Sequence, residues 1–65
     1  MQVIVNGQVR DCHAADLAAL LNELDYGGTV VATALNGDFV AETARAETPV
    51  QAGDRVEILA PMKGG

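Results

Sequence analysis

The sequence has few of the residues on which large cores and catalytic sites depend. Its 65 residues include one Phe, one Tyr, no Trp and no Ser. A chain of this length buries only about 60% of the surface that its unfolded form exposes. These shortages predict one small domain, and they argue against a deep catalytic cleft or a second domain.

Cysteine is almost absent. Cys12 is the only one, so no internal disulfide can form. Small secreted domains usually depend on disulfides, and the first residues lack the charged and apolar regions of a secretory signal. No apolar run approaches the roughly 20 residues of a membrane span. We therefore expect a cytoplasmic protein that does not bind membranes.

Basic residues are also scarce. The chain has 4 Lys and Arg against 9 Asp and Glu, which gives a formal net charge of −5. Nucleic-acid binders need clustered basic residues that neutralise phosphates, whereas the four here are scattered along the chain. The sequence therefore predicts no nucleic-acid partner, and weakly favours a protein partner with a basic face.

The residues that could carry chemistry form no recognisable set. Cys12 and His13 are adjacent, and adjacent residues of an extended strand point to opposite faces. A metal site needs three or four ligands, and acids such as Glu23 and Asp25 are typical of a solvated surface. We therefore expect no metal, no bound cofactor and no catalysis by this chain alone.

The chain begins with a predicted β-hairpin. Residues 2–5 are rich in β-branched side chains, and Asn6-Gly7 follows, which is a strong hairpin signal because both residues tolerate positive φ. A two-residue loop would pair Ile4 with Val9, whereas a three-residue loop with a bulge would pair Val5 with Val9. The sequence leaves both registers open.

A helix is predicted over residues 16–26. Asp16 is a suitable N-cap, because its carboxylate can accept from the free amides of the first turn. Four leucines then recur at the spacing of one helix face, at positions 17, 20, 21 and 24. Gly27 and Gly28 are predicted to supply the left-handed C-cap.

The second half of the chain alternates strands and turns. Residues 30–35 and 38–41 are predicted strands joined by Asn36-Gly37, and residues 42–49 a loop with at most one helical turn. Residues 55–60 form the last predicted strand, which ends before Pro61 because proline cannot donate to a ladder.

The order of these elements predicts the fold. One helix packed across a small sheet is an α+β arrangement of two layers. If the first and last strands pair in parallel, the fold is the ubiquitin-like β-grasp, with a mixed four- to five-stranded sheet. We expect a domain over residues 1–60 and a flexible tail over 61–65.

The last residues, Gly64 and Gly65, suggest a function. Glycines carry no side chain, so such a tail can thread a narrow channel in another protein and adopt any conformation there. The terminal carboxylate of Gly65 would then be the reactive group. Ordinary fraying at a chain end is the competing interpretation.

The sequence resembles the ThiS family, the sulfur carrier proteins of thiamine biosynthesis. The resemblance runs through nearly the whole chain: Met1 to Gly7, the helix from Asp16, Ala34 to Val40, and above all Gln51 to Gly65 with its Gly-Asp turn, apolar strand, proline and Gly-Gly. One segment departs from the family, which often has proline and a basic residue where this chain has Ala41-Glu42.

This resemblance implies a sulfur relay. A ThiF-like adenylyltransferase would use ATP to convert the Gly65 carboxylate to an acyl-adenylate. Sulfur from a donor such as a cysteine desulfurase would then give a thiocarboxylate, a 1-thioglycine at position 65. A ThiG-like thiazole synthase would accept this sulfur for the thiazole of thiamine. The chain would be a protein substrate of these enzymes and not an enzyme itself.

The resemblance also implies roles for neighbouring residues. Gly64 would give access to the partner's active site, and Pro61, Met62 and Lys63 would line its channel. We expect Leu59 and Phe39 to contribute to an exposed apolar docking patch; the alternative is that both lie in the core.

Three other functions are also compatible with the sequence. The small subunit of molybdopterin synthase shares the fold and the Gly-Gly end, but that family tends to be longer. A ubiquitin-like modifier would be conjugated to a target lysine through Gly65. A β-grasp interaction module with an inert tail would tolerate deletion of Gly65, whereas the others would not.

Overall fold

The computed structural model describes residues 1–60, and these form one five-stranded sheet with a helix packed on one face. The elements in chain order are β1 (Gln2–Val5), β2 (Gln8–Asp11), α1 (Leu17–Glu23), β3 (Ala32–Leu35), β4 (Asp38–Val40), a 3-10 helix (Glu42–Glu47) and β5 (Arg55–Leu59).

The last strand lies at the centre of the sheet. The strand order is β2-β1-β5-β3-β4, in which β5 pairs in parallel with β1 and antiparallel with β3. The outer pairs, β1 with β2 and β3 with β4, are antiparallel hairpins. The prediction of a mixed β-grasp sheet with one helix across it is therefore confirmed.

The first hairpin has the two-residue loop. Ile4 pairs with Val9 and Val5 with Gln8, so the bulged alternative is wrong. Asn6 and Gly7 both have positive φ, 49° and 82°, as a type I′ turn requires. The second hairpin repeats this geometry at Asn36 and Gly37.

Helix α1 begins where predicted and ends earlier. The Asp16 carboxylate accepts from the Ala19 amide at 2.8 Å, which confirms the N-cap. The C-cap prediction at Gly27 and Gly28 is wrong, because the left-handed residue is Asp25, with φ 66°. The Asp25 amide donates to the Asn22 carbonyl and the Tyr26 amide to the Leu21 carbonyl, which is a Schellman motif. Because Tyr26 packs against the core, the chain turns before the glycines are reached.

The other boundaries shift by one or two residues. The predicted strand 30–35 begins only at Ala32, and Val30 is 79% exposed. The predicted loop 42–49 contains the 3-10 helix. The last strand ends at Leu59, and the predicted tail, residues 61–65, lies outside the described residues.

The core lies between α1 and one face of the sheet. It consists of the helical leucines, alternate residues of the strands and a few loop residues, namely Val3, Val5, Cys12, Ala14, Leu17, Leu20, Leu21, Val31, Val50, Val56 and Ile58. Leu24 packs at its margin. The leucine stripe predicted from the sequence is thus the surface of α1 that covers the sheet.

Candidate functional site

The residues predicted to carry the chemistry follow the central strand. Gly65 and the segment Pro61, Met62, Lys63 and Gly64 lie outside the described residues, so their roles remain predictions. The strand that precedes them, β5, has a neighbour on each side. Gly65, the predicted reactive residue, therefore follows the central strand by six residues after Leu59, a stretch that can reach roughly 20 Å when extended.

Leu59 and Phe39 both lie on the open face of the sheet. Their side chains are 68% and 73% exposed, so the alternative that places them in the core is wrong. Leu59 pairs with Ala32, and Phe39 pairs with Ala34. The two large side chains thus flank β3, whose alanines lie between them.

The rest of the open face has charged and apolar parts. Glu57 pairs with Ala34 and Arg55 with Ile4, which places both charges in the middle of the face. Beyond them lies a second apolar pair, Ile4 and Val9, of which Val9 is 63% exposed. Leu59, Phe39, Ala32 and Ala34 together make up the predicted docking patch.

Cys12 and His13 differ in burial. The Cys12 side chain is completely buried, whereas His13 is exposed. The His13 backbone amide donates to both oxygens of the Glu23 carboxylate, at 3.0 and 3.1 Å. These hydrogen bonds connect the end of α1 to the segment after β2, so the exposed Glu23 carboxylate also has a structural role.

Two further properties concern metals and membranes. Within residues 1–60, no three side chains of His, Cys, Asp or Glu come close enough together to hold a metal ion. No helix in the same part of the chain is long and apolar enough to cross a membrane.

Sequence reasoning missed one buried cation. Arg45 on the 3-10 helix is only 8% exposed. Its Nε donates to the Thr33 hydroxyl at 3.0 Å and its Nη2 to the Val31 carbonyl at 2.6 Å, and Thr33 in turn donates to the Val40 carbonyl. Arg45 forms no ion pair with a carboxylate of residues 1–60. It therefore connects the 3-10 helix to β3 through neutral acceptors, a role that no local pattern indicates.

Comparison with known proteins gives a consistent family. The family model described as the ThiS family matches residues 3–65. A thiazole synthase from Paramagnetospirillum magneticum is 35% identical over 66 aligned residues, which cover all of this chain and 20% of that protein. The chain therefore spans about a fifth of the length of this curated relative.

Solved structures agree with the sequence match. The crystal structure of the thiamine biosynthesis protein ThiS from Geobacter metallireducens superimposes with a TM-score of 0.83 at 33% identity, with 100% of both chains covered. An NMR solution structure of a thiamine biosynthesis protein from the same organism has a TM-score of 0.81 at 33% identity, covering 100% of this chain and 88% of that one. The family match over residues 3–65 and the structural similarity together show that this chain belongs to the ThiS family.

Proposed function

We propose that this protein is a sulfur carrier of thiamine biosynthesis that works through the carboxylate of Gly65. The observation that carries the proposal is the family match, which covers residues 3–65 and so includes Gly64 and Gly65. The similarity to a thiazole synthase supports the same pathway. A thiazole synthase is accordingly the proposed acceptor of the sulfur.

The proposed chemistry begins with activation of a poor electrophile. A carboxylate oxygen of Gly65 attacks the α-phosphorus of ATP, and pyrophosphate leaves, which gives an acyl-adenylate. The terminal sulfur of a donor persulfide then attacks the carbonyl carbon, and AMP leaves. A second thiol cleaves the resulting acyl disulfide, which releases the thiocarboxylate and leaves the donor oxidised to a disulfide.

The protein's own part in this scheme is to present its end to partner enzymes. The ThiF-like adenylyltransferase supplies the ATP chemistry, and a cysteine desulfurase supplies the persulfide. Residues 61–64 would connect Gly65 to β5 while it is inside the partner. Glycine at 64 suits this task because it adds no side chain to the entering segment.

Intact mass spectrometry tests the reaction. The protein is incubated with the adenylyltransferase, ATP and a persulfide donor, and a carrier already known to react serves as the control for enzyme activity. We expect replacement of one oxygen by sulfur, with fragmentation placing the change at Gly65. A protein lacking Gly65 should remain unchanged. An unchanged mass of the intact protein beside a reacting control carrier would reject the proposal.

The fate of the activated protein separates the other functions. A ubiquitin-like modifier would form an amide with a lysine of another protein. A molybdopterin synthase subunit would pass its sulfur to a pterin precursor and leave thiazole synthesis unsupported. Restoration of growth without thiamine, in cells that lack their own carrier, supports the proposed pathway.

The docking patch is the proposed contact for the adenylyltransferase. Leu59 is the last residue of the strand that leads to Gly65, so an enzyme that receives Gly65 must come near it. Apolar residues that are exposed beside a polar surface are typical of interaction sites. Burial of such residues in the complex would add to the binding affinity, while the stability of the unbound domain would not depend on them.

Leu59→Glu tests this contact, with Val9→Glu as the matched control on the far side of the same face. Both residues are about two-thirds exposed, so neither variant should lose much stability. A central apolar contact is worth about 2 kcal/mol. Binding of Leu59→Glu to the adenylyltransferase should therefore weaken by more than tenfold, as measured by calorimetry, while Val9→Glu binds normally. Equal binding by Leu59→Glu and the parent protein would disprove the contact.

A further inference from the structure

The central strand β5 is only partly paired by backbone on its β1 side. Strand β1 ends at Val5, which pairs with Val56, and the Asn6 amide donates to the Val56 carbonyl at 2.9 Å. On its other side, β5 stays paired with β3 as far as Leu59. Residues 57–59 therefore extend beyond the end of β1.

The side chain of Asn6 takes the place of the missing strand. Its Oδ1 accepts from the Ile58 amide at 2.8 Å, and its Nδ2 donates to the Ile58 carbonyl at 3.1 Å. A carboxamide offers a donor and an acceptor in one plane, as a peptide group does. Asn also tolerates the positive φ of the turn, so one residue can both reverse the chain and pair with β5.

Asn36 holds the other end of the same strand. Its Oδ1 accepts from the Arg55 amide at 2.9 Å, and its Nδ2 donates to the Asp54 carboxylate at 3.1 Å. It has φ 51°, close to the 49° of Asn6, and is likewise followed by a glycine. The two Asn-Gly turns thus hold β5 at opposite ends and from opposite sides, but only the end held by Asn6 leads towards Gly65.

We propose that Asn6 is a positioning residue for the reaction at Gly65. Its two hydrogen bonds hold Ile58 in the sheet, and Ile58 lies seven residues before Gly65. They therefore set the point and direction from which the reactive segment starts. This inference rests on the proposed function, because it matters only if Gly65 must enter a partner's active site.

The physical consequence concerns geometry more than affinity. Asn6 is not part of the docking patch, and Leu59 keeps its pairing with Ala32, so we expect binding to the adenylyltransferase to be retained. If Ile58 detaches from Asn6, the segment starts from a broader range of directions and fewer complexes place the carboxylate next to ATP. Misplacement by about 1 Å can cost as much as 100-fold in rate.

The test compares Asn6→Gly with Asn36→Gly. Glycine removes each side chain but keeps the positive φ without strain. Asn6→Gly loses two hydrogen bonds to Ile58, and Asn36→Gly loses one to the Arg55 amide and one to the Asp54 carboxylate. Three quantities are measured on the full chain: the free energy of unfolding, amide hydrogen exchange at Ile58 and Arg55, and the kcat and KM for pyrophosphate release by the adenylyltransferase.

We expect the two variants to lose stability to a similar extent and to differ in the reaction. Asn6→Gly should exchange faster at Ile58 and lower kcat by about tenfold, a part of the cost of misplacement, with KM nearly unchanged. Asn36→Gly should exchange faster at Arg55 and keep the parent kcat. Asn6→Asp retains the acceptor for the Ile58 amide but loses the donor to its carbonyl. It should change kcat in the same direction, and it provides a second variant if Asn6→Gly folds poorly.

Two results would overturn the inference. The first is a kcat for Asn6→Gly and Asn6→Asp equal to that of Asn36→Gly, although Ile58 exchanges faster; this leaves the proposed function intact. The second is a parent protein that releases no pyrophosphate with an enzyme that activates a control carrier. In that case the proposed function fails, and the positioning role fails with it.

Discussion

The two faces of the sheet carry apolar side chains at a similar spacing but differ in what covers them. On one face, Val3, Val56 and Ile58 are buried under α1. On the other, Leu59 and Phe39 are about 70% exposed. Successive side chains of each strand point to opposite faces, so this alternation explains which residues share a face. Burial is decided by the helix, which covers one face and leaves the other open.

This difference separates stability from binding in a very small domain. The covered face supplies nearly all of the apolar burial on which folding depends. The open face keeps exposed apolar residues, which would be buried only against the proposed partner. Substitutions on the two faces should therefore affect different measurements, and the following predictions run from the largest expected effect to the smallest.

Leu20→Ala should be the most damaging substitution on the covered side. Leu20 is completely buried in α1, and such truncations cost about 2–5 kcal/mol because of lost transfer energy and the cavity left behind. A domain of this size has only about 3–5 kcal/mol of stability from its core. We expect a largely unfolded protein by circular dichroism and denaturant titration. Stability within 1 kcal/mol of the parent would contradict the packing described, taking about 1 kcal/mol as an ordinary substitution effect.

Arg45→Ala should cost about 2 kcal/mol in unfolding free energy, since hydrogen bonds from charged groups contribute more than neutral ones. The substitution leaves the Val31 carbonyl and the Thr33 hydroxyl without their donor. Arg10→Ala removes an exposed arginine from β2 and is the matched control, with an expected change near zero. Equal stability of the two variants in urea would show that the buried contacts contribute nothing.

Asp16→Ala should cost about 1 kcal/mol, the usual value of an N-cap. The Ala19 amide loses its acceptor, and α1 has only seven residues over which to compensate. Asp25→Gly is the informative companion, because glycine is better suited than Asp to the left-handed position at the other end of α1. Urea denaturation should show one variant destabilised and the other unchanged or slightly stabilised.

Phe39→Ser should change the unfolding free energy least, by about 0.5 kcal/mol or less, because the side chain is exposed before and after unfolding. Its effect should be seen in binding instead, where loss of an aromatic contact weakens association with the adenylyltransferase. A loss of stability as large as that of Leu20→Ala would show that the open face takes part in folding.

Local signals were sufficient for the elements whose causes are local. Asn-Gly predicts both hairpin turns because positive φ depends on residue type, and Asp16 followed by the leucine stripe predicts the start and the buried side of α1. The end of α1 was less predictable. Two glycines were available at 27 and 28, but Tyr26 packs on the core and makes Asp25 the turning residue.

The residues of the candidate site also divide into those that the sequence indicates and those that only the structure shows. The terminal Gly64-Gly65 and the family resemblance were visible in the sequence, whereas the exposure of Phe39 required the pairing of β4 with β3. Arg45 was missed because its partners, Val31 and Thr33, lie 14 and 12 residues away. Asn6 was recognised only as a turn residue, since its contacts with Ile58 span 52 residues.

The sequence by itself determined the family, the two Asn-Gly turns and the buried side of α1, because each depends on residue type or short-range patterns. Only the tertiary structure decided the register of the first hairpin, the burial of Arg45, the exposure of Leu59 and Phe39, and the hydrogen bonds between Asn6 and Ile58. The register was a choice between two local pairings that the residue types do not distinguish. The other features depend on how distant parts of the chain pack together, which no local pattern encodes. The parallel pairing of β1 with β5 brings Asn6 next to Ile58, in the strand that precedes Gly65.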